Sequence, residues 1–149
     1  MSEEEIAEFL DTQVYVVIGT QNSGGWPHLV TMGFAMVDGD LMFQGYPKSQ
    51  KFANLRRDNR ITCLIEDPGA GYHHIRGVQI FGYAEIVEDL DVVTEVAHRI
   101  ATKLAPILGV PFEESTPKPI EEFVPVRAAV RVKASKIVTW DHRKLNGEY

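Results

Sequence analysis

At 149 residues the chain has room for one hydrophobic core and not for two domains of ordinary size. With 44% hydrophobic and 24% charged residues it has the balance of a globular protein, and no run approaches the roughly 18–20 apolar residues of a membrane-spanning helix. A formal net charge of −6 argues against a general nucleic-acid binder, which needs a basic face, and the acidic start Met1-Ser2-Glu3-Glu4-Glu5 lacks the pattern of a secretory signal, so a cytoplasmic protein without membrane or nucleic-acid partners is expected.

Ser2, with Glu5 three positions on, reads as a capping box, and Ile6, Phe9 and Leu10 give the following helix an apolar stripe. Val14–Thr20 is rich in β-branched residues and ends in Gln21-Asn22-Ser23-Gly24-Gly25, a run suited to a hairpin loop. Its partner spans Trp26–Val37 and stops at Asp38-Gly39, a tight-turn signal, after which Leu41–Tyr46 returns as a third strand. Pro47 closes that strand, and Ser49–Asp58 has helical spacing, with Phe52 and Leu55 on one side and Lys51, Arg56 and Arg57 elsewhere. Arg60–Glu66 resumes strand character, Asp67–Gly71 breaks it, and Ile75–Glu88 is a long strand whose Gly77 and Gly82 permit bends or close approach.

Asp89 or Asp91 caps a helix through about Leu108, with Val92/Val93, Val96/Ala97, Ile100/Ala101 and Leu104 at helical spacing and Gly109 at its end. Pro111–Pro119 reads as a loop, and Val126–Ala134 alternates Val126, Ala128, Val130 and Val132 against Arg127, Arg131 and Lys133. Tight turns join most strands, which excludes parallel crossovers. The expectation is a mainly β, single domain over residues 1–149: a six-stranded antiparallel barrel with flanking helices.

No glycine-rich nucleotide fingerprint, phosphate-binding loop, HExxH or CxxC arrangement is present. Cys63, the only cysteine, sits between Ile61 and Leu64-Ile65 and reads as core. His73-His74 with Arg76 reads as an exposed turn or a substrate-facing loop, and adjacent strand histidines point opposite ways, so no metal site is expected there. Lys48-Ser49-Gln50-Lys51 stands out: two cations, a hydroxyl and free helix-start amides directly after a strand suit a phosphate, the alternative being a solvated helix start.

The run Lys48-Ser49-Gln50-Lys51-Phe52-Ala53-Asn54-Leu55-Arg56-Arg57-Asp58-Asn59-Arg60 resembles the basic segment of the pyridoxamine-5′-phosphate-oxidase-like, flavin-binding split-barrel family. His28–Phe34, Asp38-Gly39-Asp40 before Leu41-Met42-Phe43, and Ile80–Ile86 are similar to that family in order and spacing, and the resemblance spans roughly Glu3 to Trp140. It implies a Greek-key split barrel that dimerises, with a flavin or deazaflavin ring in a groove made by both subunits. Ser49 and Lys51, with Lys48, would then hold the cofactor phosphate, and the backbone of Val30, Thr31, Met32 and Gly33 would line the ring. Thr31 offers a hydroxyl or is an ordinary strand residue; Gln79 and Trp140 would come from the other subunit, Trp140 as a ring or substrate contact or as a plug of the barrel end.

The activity this implies is an oxidoreductase, dependent on coenzyme F420 or FMN, that passes hydride to a small organic acceptor and needs no catalytic side chain of its own. The alternatives are a non-catalytic flavin carrier or sensor, a pyridoxamine 5′-phosphate oxidase, for which Arg143 and Lys144 do not reproduce the family pattern, and a haem-binding relative using His73, His74 or His142.

Overall fold

The structure, a computed structural model, describes residues 1–145. The capping box is formed: the Glu5 N–H donates to the Ser2 hydroxyl (3.2 Å) and the Ser2 N–H to the Glu5 carboxylate (2.6 Å), starting helix α1 over Glu3–Thr12. Strands β1 (Tyr15–Gln21) and β2 (Pro27–Gly33) form the expected hairpin, with Val17 opposite Thr31. The expected Trp26–Val37 strand is broken at Phe34, whose N–H turns away to the Val14 carbonyl (3.0 Å) and whose ring is fully buried. The remainder is a separate strand β3 (Ala35–Val37), which turns through Asp38 and Gly39, both at positive φ, into β4 (Asp40–Gly45). Helix α2 (Gln50–Arg57) follows, then β5 (Arg60–Asp67), β6 (Arg76–Val87), α3 (Leu90–Leu108), the short α4 (Ile120–Phe123) and β7 (Ala128–Asp141). Asp89 caps α3, accepting from the N–H groups of Asp91 and Val92, and Gly109 ends it in the left-handed region.

These strands form one antiparallel sheet in the order β2-β1-β5-β6-β7-β4-β3, seven strands in place of the expected six because of the break at Phe34. β4 lies beside β7 and not beside β5, the Greek-key step. β7 differs from expectation at both ends. Val126 is half exposed in a 3-10 turn, and the strand continues beyond Ala134 to Asp141 through a bulge opposite Phe81/Gly82. α4 directly follows the Pro-rich segment, which itself holds a 3-10 turn at Phe112–Glu114.

Alternation along the strands puts cores on both faces. Inside the curved sheet, under α1 and α2, lie Phe9, Ile18, Phe34, Phe43, Phe52, Ile65 and Val78. On the opposite face of β3, β4 and the start of β7, α3 and α4 bury Val93, Val96 and Ile120 against Val37, Met42 and Ala129. Each fully buried aliphatic side chain stabilises this packing by about 1.5–3 kcal/mol. α3 therefore covers one part of the outer face and leaves β1, β2, β5 and β6 bare, with Leu29 66%, Tyr83 51% and Phe81 36% exposed. No helix among the described residues is long and apolar enough to cross a membrane.

Candidate cofactor site

The β4–α2 junction gathers the basic residues. β4 ends at Gly45, whose lack of a side chain lets the Lys51 stem lie across the strand; a Cβ there would stand 3.0 Å from Lys51 Cε. Pro47 stops the strand, and Ser49 takes the N-cap position of α2 without capping it: the hydroxyl donates to the Tyr46 carbonyl (2.7 Å). The first turn of α2 carries no acidic residue, so its N–H groups keep their anion-binding capacity. Arg56 fixes the loop by donating to the Pro47 carbonyl (2.7 Å), and buried Asn54 ties α2 to β1 by donating to the Thr20 hydroxyl (3.0 Å). Lys51 is half-buried; burial pushes its ammonium pKa down, and the Arg127 charge pushes it further the same way. A cavity of about 490 Å³ opens beside these groups, lined by Tyr46, Pro47, Lys48, Glu88, Val126 and Arg127 among others.

Of the residues expected here, Lys48 lines the cavity and Lys51 lies across Gly45, while the Ser49 hydroxyl is turned back to the Tyr46 carbonyl. Arg127 joins them, with its guanidinium carbon 4.0 Å from the centre of the Tyr46 ring. Sequence reading placed Arg127 on the wet face of a strand; the signal that could have found it is a cation immediately before the strand that pairs with β4. Val30, Thr31, Met32 and Gly33 lie on β2, which pairs only with β1 and so leaves one edge of its backbone unpaired in the sheet. Val30 and Met32 pack on the inner core, Thr31 faces outward and exposed, and Gly33 backs onto Ile100 of α3. Gln79 and Trp140 stand apart from these within one chain. They lie on the outer face of β6 and β7, three and four strands from β2, and the indole lies flat on Gly77. The bare outer face also holds a groove of about 540 Å³ walled by Leu29, Arg60, Thr62, Phe81 and Tyr83 among others.

The remaining candidates are occupied otherwise. Burial pushes the Cys63 thiol up to about 12, which keeps it protonated and unreactive. His73 and His74 form an exposed 3-10 turn with Tyr72, His142 Nδ1 lies 2.9 Å from the Tyr72 carbonyl, and no cluster of metal-binding side chains exists among the described residues.

Comparison with known proteins agrees with this fold. The sequence profile described as pyridoxamine 5′-phosphate oxidase matches residues 2–141. The chain belongs to this family. Among solved structures it is similar to the conserved hypothetical protein Rv2991 from Mycobacterium tuberculosis, at 37% identity and TM-score 0.85 over 97% of this chain and 88% of that one. An F420 reductase aligns at 23% identity and TM-score 0.63 over 88% of this chain and 94% of that one. A FAD-binding protein from Mesorhizobium loti aligns at 16% identity and TM-score 0.63 over 93% and 92%. At these two identities the likeness concerns the fold. The curated proteins give no match. Other pyridoxamine 5′-phosphate oxidase family folds host several activities, so the residues of the site carry the functional argument.

Proposed function

We propose that this protein is an oxidoreductase that uses coenzyme F420 or FMN to pass hydride to a small organic acceptor, and that it works as a homodimer. The observation that carries the proposal is the cation cluster at the β4–α2 junction, where Lys48, Lys51 and the first turn of α2 converge without a carboxylate in ion-pair contact among the described residues. Phosphate chemistry fits this donor set: cations and free helix-start N–H groups at one strand end. The unpaired edge of β2 supplies N–H and carbonyl groups suited to the polar rim of a ring, and Thr31 adds a hydroxyl on that strand. Bound there, the cofactor supplies the hydride; the protein positions it and keeps water out.

The second subunit has a physical reason to be there. The bare outer face presents Leu29, Phe81, Tyr83 and Val138 to solvent, and a second copy packed on it would cover these side chains and bring its own Gln79 and Trp140 toward the cofactor of the first. The vitamin B6 reading is weaker, because the C-terminal cations it needs for a substrate phosphate are engaged: Arg143 with Asp141 (2.6 Å) and Lys144 with Glu5 (2.7 Å).

The test is an absorption and fluorescence titration with FMN and with F420, followed by stopped-flow oxidation of the reduced complex by quinones, nitro compounds and conjugated carbonyls. Lys51→Ala is expected to weaken binding by about 1.5–3 kcal/mol, the range for a hydrogen bond to a charged group, or roughly 10- to 150-fold. Equal affinity in both proteins removes the phosphate assignment; binding without turnover by any acceptor makes the protein a carrier. Light scattering that gives a monomer in the cofactor-bound state removes the two-subunit site.

A further inference from the structure

Arg127 has an arrangement that packing alone does not explain. It immediately precedes β7, next to Ala128, which pairs with Gly45 at the end of β4. Its guanidinium carbon lies 4.0 Å from the centre of the Tyr46 ring and 5.7 Å from that of Phe123, within cation–π range of both. Its Nε is buried and donates to nothing, one of three such side-chain atoms among the described residues. A buried donor without an acceptor costs about 1–3 kcal/mol, and a charged one more. Lys48 lines the same cavity, and Lys51 is close enough for the two charges to repel. Glu88 also borders the cavity, yet no ion pair joins it to any of the three cations among the described residues. Like charges from two separate parts of the chain are held together beside this cavity. An anion in the cavity would offset their repulsion through the outer guanidinium nitrogens and the lysine ammonium groups.

We propose that Arg127 is an anion-binding residue of this site and grips the phosphate of the cofactor together with Lys51 and Lys48, the Ser49 hydroxyl being engaged by the Tyr46 carbonyl. The inference rests on the cofactor reading above and adds to it a residue from a distant part of the chain. A planar guanidinium can give two parallel N–H donors to two phosphate oxygens, which a lysine cannot. Because Arg127 immediately precedes β7 while Lys51 lies on α2, the anion would also tie together the two chain segments that meet at the Gly45–Ala128 end of the β4–β7 pair.

The experiment compares wild type, Arg127→Gln and Arg127→Lys by calorimetric titration with inorganic phosphate and by fluorescence titration with FMN, with F420 and with riboflavin, which has the FMN ring and no phosphate. Expected is a loss of at least about tenfold in affinity for inorganic phosphate and FMN in Arg127→Gln, with riboflavin affinity unchanged. Arg127→Lys, which keeps the charge and an aliphatic stem over Tyr46, loses less. Thermal melting identifies a variant that fails to fold, in which case the Arg127→Lys comparison decides. Equal FMN affinity in wild type and Arg127→Gln overturns the inference and leaves the cofactor reading standing. Equal loss for FMN and riboflavin overturns it too, since a packing defect does not distinguish them. If wild type binds inorganic phosphate through Arg127 but binds neither FMN nor F420, the anion site stands and the cofactor reading falls. If wild type binds none of the probes, both fall.

Discussion

Replacing Gly77 by Ala tests how Trp140 is seated on the outer face. A Cβ at position 77 would stand 2.1 Å from Trp140 Cζ2 and 2.3 Å from Cε2, so the indole has to retreat by about 1.3 Å to reach ordinary contact at 3.4 Å. Overpacking of this kind costs about 1–3 kcal/mol. It is opposed by the roughly 0.4–1 kcal/mol that Ala gains over Gly by restricting the unfolded chain, since Gly77 needs no positive φ. The net loss is about 0–2.6 kcal/mol, a fall in melting temperature of up to roughly 10 °C for a domain of this size. The assay is calorimetric melting together with tryptophan emission in a Trp26→Phe background, where Trp140 is the only indole left. Gly77→Ala should shift that emission, and Trp140→Ala should cancel the cost of the Ala in a double-mutant cycle. A variant with unchanged melting and emission shows that the indole does not lie on Gly77, and the placement of Trp140 on the outer face then loses its support.

Asp141 gives a pH-dependent prediction. Its side chain is 2% exposed and hydrogen bonds from Arg143 hold its carboxyl at about 2 against an ordinary 3.8, so the contribution is complete above about pH 4 and is lost as pH falls toward 2. Because Arg143 is half exposed, the amount is discounted to about 1–2 kcal/mol; Asp141→Asn should melt lower than wild type at pH 7, with the difference shrinking steadily below pH 4. An equal difference at pH 7 and pH 2.5 contradicts the ion-pair account. For Cys63, a thiol reagent should label nothing in the native protein and one equivalent after unfolding, and Cys63→Ala should leave turnover intact; native labelling at a rate near that of the unfolded chain counts against burial.

Much of the fold was legible because local chemistry and tertiary packing agree. The Ser2/Glu5 box, the Asp38-Gly39 turn, and the Asp89 and Gly109 ends of α3 are set by backbone requirements that few residues meet, and each is found where expected. The misses have a common cause in contacts distant in sequence. Phe34 continues a strand pattern, yet its N–H is drawn to Val14 and its ring to the inner core, so one strand becomes two. β7 was cut short at Ala134 because the bulge reverses the phase of its alternation: Val130 and Val132 point inward before it, and Ile137, paired with inward Ile80, after it. The β4–α2 cation cluster was readable, since Lys48, Ser49 and Lys51 are neighbours in sequence. Arg127 was not, because what makes it notable is the approach of β7 to β4, a pairing of residues more than 80 positions apart.

The bulge has a further consequence for how the chain tolerates changes in length. Ser135 is the extra residue, with Ala134 opposite Gly82 and Lys136 opposite Phe81. Deleting Ser135 would convert the bulge to regular pairing and leave Lys136 to Asp141 facing as they do now. Deleting any one residue from Ile137 to Thr139 would instead keep Trp140 on Gly77 only by pairing Ser135 with Phe81 and turning Lys136 inward opposite Ile80, a cation on the apolar face. Within one strand, therefore, a single position absorbs a change in length, and its close neighbours do not.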